Sequence, residues 1–304
     1  MTDNIKAAVM ASFIADALSL GAHWIYDQKK IKAEFGRIDN ITAPLADTFH
    51  PTKSAGEFTH YGDQTLVLLE SIASKGAFDL DHFARSWQAL FADYSGYRDK
   101  ATEITLANFQ KNSDPTIAGS SSTDLGGAAR IAPLVYRYIQ DEDQLQKSIR
   151  DQTRMTHANE LVLDCALFFA MATCKTILGV SPIDAVQQTA DDFFDDNPLF
   201  MLVQKGLASR KEDTGETILH FGQMCDSNAA FPGAIHLISK YSDRLSYALK
   251  ENAMAGGDSA ARGMLVGMVL GAYQGLGEIP ADWLATMKAS SKIDHLLTQV
   301  RNKK

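Results

Sequence analysis

The chain has 304 residues, 45% of them hydrophobic and 22% charged, and a formal net charge of -8 at pH 7. That length buries a large core, and an acidic balance with no Lys/Arg run excludes a basic nucleic-acid-binding face. The longest apolar stretch, MLVGMVLGAY, falls short of the ~20 residues a bilayer span needs, so no membrane partner is expected.

Helical periodicity runs through the chain in order. In IKAAVMASFIADALSL the apolar stripe Ile5, Val9, Phe13, Ala17 and Leu20 predicts a first helix. LVLLESIA, DHFARSWQALFADYSGY, ANELVLDCALFFAMATCKTIL and SPIDAVQQTADDFF follow, then DRLSYALKENAMA, ARGMLVGMVLGAYQGL and ADWLATMKA. Period-two alternation is scarce, so the expected fold is all-α: a single compact, orthogonal multi-helix domain over residues 1–304. Two long irregular stretches interrupt it, one from about Arg37 to Tyr61, the other KNSDPTIAGSSSTDLGG. Loops of that length inside a compact unit are functional or disordered.

The N-terminus MTDNIKAAVM lacks the basic-then-apolar order of a secretory signal. Cys165, Cys174 and Cys225 contain no C-x-x-C spacing and read as buried thiols of a reducing compartment. A cytoplasmic location is therefore expected. His23, His50, His60 and His236 form no H-x-x-x-H ladder, which disfavours zinc.

Gly263, Gly267, Gly271 and Gly275 recur every fourth residue on one helix face. Each costs about 1 kcal/mol relative to alanine in a helix, so the stripe predicts a close helix crossing that fixes Asp258 in the interior. Asp16 lies on the apolar face of the first helix and is expected to accept hydrogen bonds from a nearby loop, since a bare buried carboxylate is very costly.

Asp63, ahead of one apolar helix, and Asp258, ahead of another, each read alone as an N-cap. Together they suggest a shared oxygen-ligand site, suited to a hard cation such as Mg2+. In DLGGAARIAP the backbone of Gly126 and Gly127, with Arg130 nearby, suits an anionic phosphate, although neither a P-loop nor a G-x-G-x-x-G motif is present. Thr156 and His157 precede the next apolar helix, where a histidine caps, packs or bonds a ligand.

The ordered set ADALSLGAHW, THYGDQT, GGAARIAP, RMTHAN, FPGAIHLI and MAGGDSAARGMLVG resembles the ADP-ribosylglycohydrolase family, over about residues 5 to 285. That family includes the dinitrogenase-reductase-activating glycohydrolases and the J-type crystallins, and the wording is most similar to the crystallin-like branch. The resemblance implies a compact all-α fold around two Mg2+ ions. The family's early T-D-D-T ligands fall on Gly62, Asp63, Gln64 and Thr65, and its late D-x-D-T on Asp258, Ser259, Ala260 and Ala261. Its asparagine-glycine substrate loop falls on Leu125, Gly126 and Gly127, with Arg130 kept, and its threonine-histidine pair on Thr156 and His157.

Two surviving carboxylates imply at most one Mg2+, held by Asp63 and Asp258, and not the family's pair. The implied activity is hydrolysis of an N- or O-glycosidic bond in an ADP-ribose-like small molecule or an ADP-ribosylated protein. Asp63 and Asp258 would hold the ion or orient the water, and Glu57 would serve as acid or base. Gln64 would position a ribose hydroxyl, His60, Tyr61 and His157 would contact the substrate, and Arg130 with Gly126 and Gly127 would take its phosphate. The alternatives are an inactive, crystallin-like or ADP-ribose-binding protein on the same fold, and a hydrolase of a different metabolite.

Overall fold

The structure is a computed structural model and describes residues 2–303. Among them there is no strand, only two isolated bridges, Ser120 with His157 and Asp124 with Asp226. Helices otherwise follow one another from Thr2–Ser19 to Ser290–Asn302.

At the centre, the Thr2–Ser19 helix packs along the Ser259–Gln274 helix. Gly263, Gly267 and Gly271 permit this. A Cβ on Gly267 would lie 2.5 Å from the Ala11 carbonyl oxygen, and one on Gly271 2.8 Å from that of Ala7. The predicted close crossing is present. Gly275 is not part of it: with φ +85 it ends the helix, donating its N–H to Gly271. Around this pair lie the Glu160–Ile177, Ser227–Lys240 and Leu245–Met254 helices, so both central helices are buried on nearly every side.

The predicted helices are found with modest changes at their ends. The DHFARSWQALFADYSGY segment is helical only over Leu80–Ala92, and its remainder leads through Tyr97 to Asp99. The early irregular stretch ends at Thr59, whose hydroxyl accepts from the N–H of Tyr61 and caps the His60–Lys75 helix. Asp63 therefore lies in the first turn, where a carboxylate complements the helix dipole. Aspartate caps several helices, and two of these caps reach the interior: Asp99 caps Lys100–Lys111, and Asp258 caps Ser259–Gln274.

Candidate functional site

Backbone ties between distant loops build the site. Gly256 and Gly257 have φ +74 and +66, a region only glycine occupies at little cost, and a Cβ on them would strike the carbonyl oxygens of Ile25 and Gln223 at 2.5 and 2.1 Å. In that turn Gly257 donates to Ile25 O, Trp24 donates to Gly257 O, and Asp258 donates to Gln223 O, at 2.8–2.9 Å. The turn thus fastens Asp258 beside His23. In the same way Leu125 N–H bonds to Cys225 O and Ser227 N–H to Thr123 O, both 2.8 Å, which sets Asp124 beside Cys225.

Asp124, Cys225 and Asp258 place one ligand atom each within 4.8 Å of one another. The Tyr61 hydroxyl lies between the two carboxylates, 3.4 Å from each. Asp258 is 0% exposed, Tyr61 1% and Asp124 8%. Burial, followed by the charges of Asp258 and Asp99, pushes the Asp124 carboxyl well above the usual range. Burial also raises Asp258, but the Arg262 guanidinium and the Ala261 N–H oppose the rise. The site therefore holds two buried carboxylates, both pushed toward the protonated form, with Arg262 and the Ala261 N–H opposing that push only at Asp258.

The residues expected from sequence fall into separate groups. Asp63 and Asp258 share no hydrogen-bond partner, and the ligand atoms gathered around Asp258 are those of Asp124 and Cys225. Asp63 bonds to the Lys53 ammonium and the Tyr94 hydroxyl, each at 2.5 Å. The reason is helical geometry: residues two apart point roughly 200° apart, so Tyr61, not Asp63, reaches Asp258. Glu57 is also elsewhere, accepting from Ser54 N–H and pairing with Lys288 at 3.2 Å.

Arg130 does not present itself to a phosphate. It is 1% exposed, and its guanidinium donates to Gln152 Oε1 (2.9 Å), Gln64 Oε1 (2.6 Å) and Thr156 Oγ1. Gln64, expected on a ribose hydroxyl, is equally engaged: Oε1 also accepts from the Trp87 indole, and its amide donates to His60 O. Gly126 gives its N–H to Asp124 Oδ1 at 2.7 Å. Its missing side chain makes room for Tyr61, whose ring would lie 2.1 Å from a Cβ there, as Gly127 makes room for His157. His157 bonds Thr156 Oγ1 through Nδ1, and burial with the Arg130 charge lowers its pKa to about 3.

Asp16 meets its expectation, accepting from the N–H (2.8 Å) and hydroxyl (2.5 Å) of Thr59. Its Oδ2 lies 2.5 Å from where a Gly62 Cβ would be, which explains glycine at that motif position.

Sequence reasoning missed Asp124, although it heads the DLGG segment, and missed the meeting of His23, His50 and His60. Their ligand nitrogens lie within 4.8 Å of one another, from three separate parts of the chain. His60 Nε2 bonds Asp99 Oδ2 at 3.1 Å. Burial opposes the ionised Asp99, but that bond and the imidazole charge hold its carboxyl well below the usual range. Trp24 stacks on His23, with centroids 4.4 Å apart, and meets Phe49 and Tyr97 edge-on. It is the one non-glycine residue of positive φ (63) among those described, a strained conformation of the kind found at functional sites. Trp24, Tyr97 and the half-exposed Phe49 form an aromatic rim, and outside it an open groove of about 250 Å³ is lined by Tyr26, Asp47 and Phe49 among others.

Comparison with known proteins places the fold and these motifs together. The chain belongs to the ADP-ribosylglycohydrolase family, whose family model matches residues 1–303. It is 26% identical to crystallin J1A of Tripedalia cystophora, over 96% of this chain and 94% of that one. It is 24% identical to the ADP-ribosylhydrolase ARH3 of Mus musculus, over 85% and 81% of the respective chains. A solved structure titled ADP-ribosylglycohydrolase-related protein complex superposes with a TM-score of 0.74 at 20% identity, covering 99% of this chain and 98% of its own. No helix among the described residues is long and apolar enough to cross a membrane.

Proposed function

We propose that the chain hydrolyses the glycosidic bond of an ADP-ribose-like ligand or an ADP-ribosylated protein at the Asp124–Tyr61–Asp258 cluster. The observation that carries this reading is the meeting of two buried carboxylates on one tyrosine hydroxyl. Asp124, whose carboxyl burial pushes up, donates its proton to the departing group as the glycosidic bond breaks, and water then adds to the anomeric carbon, giving a proton back to the Asp124 carboxylate. Asp258, with the Arg262 charge favouring its carboxylate, stabilises positive charge developing at the anomeric carbon. Tyr61 holds the pair in register, and the Trp24–Phe49–Tyr97 rim offers flat apolar surface to a nucleobase. The family membership and the name of the murine relative favour the ADP-ribosyl class.

The side chains present do not fit a pair of Mg2+ ions, each of which requires near-octahedral oxygen coordination. Gly62, Ala260 and Ala261 bring no side-chain oxygen, Gln64 Oε1 is held by Arg130 and Trp87, and Asp63 is paired with Lys53 and Tyr94. No step above passes through a metal.

A second reading, a binding protein without turnover, is favoured by the depth of Tyr61 and Asp258 and by the crystallin relatives. The test measures ADP-ribose released from N- and O-linked ADP-ribosyl peptides by wild type, Asp124→Asn, Asp258→Asn and Tyr61→Phe, alongside calorimetric titration of ADP-ribose with and without Mg2+. Release that falls at least tenfold in each variant supports hydrolysis at this cluster. Tight binding without release selects the second reading, and release that requires Mg2+ overturns the metal-independent chemistry.

A further inference from the structure

The His23–His50–His60 cluster is not used by the chemistry proposed above, and its polar atoms lack partners. His23 Nε2, His50 Nδ1, His50 Nε2 and His60 Nδ1 are all buried without a hydrogen bond, and all three side chains are 0% exposed. Buried imidazole nitrogens without partners are uncommon, and three histidines whose ligand nitrogens lie within 4.8 Å of one another call for an ion or water to partner them. The rings stack at centroid separations of 5.2 Å (His23–His50) and 6.2 Å (His50–His60). Stacking alone places the rings, yet it leaves their nitrogens unsatisfied.

We propose that His23, His50 and His60 form a tri-histidine site for a divalent transition ion, Zn2+ being the best match. Imidazole suits zinc, and a hard ion such as Mg2+ prefers oxygen. Three protein ligands leave one of four positions for water or a ligand atom, as in catalytic zinc sites. Zn–N bonds of about 2.0–2.1 Å set tetrahedral nitrogens roughly 3.3 Å apart, so ligand atoms now within 4.8 Å close by about 1.5 Å at most.

The supporting partners match a metal site as well. His60 gives Nε2 to Asp99 at 3.1 Å, leaving Nδ1 buried without a hydrogen bond. Asp99 is itself fixed by the Thr102 N–H, so the ring is held by a carboxylate, the common arrangement behind a zinc-bound histidine. His23 has Nδ1 3.7 Å from Asp258 Oδ1, with Nε2 free. The Ala260 N–H also points at that Nδ1, 3.3 Å away. Coordination through Nε2 would exchange this long contact for an Nδ1–H bond to Asp258. His50 brings both nitrogens unpaired from the irregular stretch before the His60–Lys75 helix. The ion would thus sit beside Asp258 and couple the loop carrying Phe49 to the carboxylate cluster.

The experiment uses the full chain, stripped with a chelator and titrated calorimetrically with Zn2+, with Co2+ as a visible-absorption probe. One Zn2+ per chain and an intense low-coordinate Co2+ spectrum are expected. His50→Gln and His23→Gln should each lower Zn2+ affinity by roughly a hundredfold or more, beyond the 10–100-fold typical of a lost second-shell partner. The exposed His220→Gln and His295→Gln variants should bind as wild type. X-ray absorption of the zinc-loaded wild-type protein counts imidazoles directly, so the question is decided even where a histidine variant fails to fold. Absence of Zn2+ binding, or a shell without histidine, would overturn the proposal. So would a site that survives both histidine changes but is lost in Cys225→Ser, which would move the ion to Asp124, Cys225 and Asp258.

Discussion

Replacing Arg130 by methionine separates a phosphate-binding arginine from one that holds the interior together. The guanidinium ties Gln64 of the His60–Lys75 helix to Gln152 of the Glu142–Arg154 helix and to Thr156. In the variant Gln152 Oε1 loses its partner, a loss of about 1–3 kcal/mol for a buried acceptor. Gln64 Oε1 retains the Trp87 indole, and Thr156 Oγ1 retains His157, so each loses one charge-assisted bond and is not orphaned. Against this, a charge no longer has to be buried, and Met fills much of the arginine stem's volume. Removing the charged member of a buried hydrogen-bonded group costs about 3 kcal/mol once relief of charge burial is set against the lost bonds. Arg130→Lys should recover little, because an ammonium cannot span three acceptors in a planar fork. Urea unfolding followed by circular dichroism and by tryptophan emission measures it, Trp87 being a buried reporter bonded to Gln64. Wild-type stability in Arg130→Met together with lost ADP-ribose binding would refute the reasoning and return Arg130 to the phosphate.

Gly267→Ala places a methyl group 2.5 Å from the Ala11 carbonyl oxygen, with backbone unable to yield cheaply. Overpacking of about 3 kcal/mol, less about 1 kcal/mol of helix propensity, lowers stability by about 2 kcal/mol, whereas Gly277→Ala, with nothing within 4 Å, stays near neutral in the same melts. Burial raises the Asp16 pKa from 3.8 to about 7, against the bonds from Thr59. The folded protein therefore holds this proton more tightly than the unfolded chain. Asp16 favours folding below pH 3.8, and that contribution is lost as pH rises through about 7, by up to about 4 kcal/mol. Asp16→Asn should gain stability relative to wild type between about pH 4 and 7, and parallel urea midpoints across that window would contradict it. Asp63→Asn should weaken folding by about 1–2 kcal/mol through the mostly buried Lys53 pair, and leave ADP-ribose affinity unchanged by calorimetry. A tenfold loss of affinity would place Asp63 back in the site.

Local pattern in the sequence determined the helices with a strong apolar stripe, because spacing of 3.6 residues commits a segment to one buried face wherever it docks, but it left out others, among them Lys100–Lys111, Glu142–Arg154, Ser227–Lys240 and Ser290–Asn302. It also determined the close crossing at Gly263, Gly267 and Gly271, since glycine repeated in a helix is explained by an approaching backbone. Asp16 was legible for the same kind of reason: a carboxylate on an apolar face must find donors, and Thr59 supplies them. The family motifs located the loops of the site, but not which of their side chains meet. Tertiary structure decided that Tyr61 faces Asp258 while Asp63 turns to Lys53, a choice set by how the His60–Lys75 helix is rotated against its neighbours. It decided that Arg130 faces inward, because its acceptors come from two other parts of the chain, around Gln64 and from Gln152 to Thr156. It brought Asp124 to Asp258, and His23 and His50 to His60, through backbone ties between loops that carry no periodic signal. Such ties depend on where distant carbonyls and N–H groups come to rest, and only packing of the whole chain fixes that.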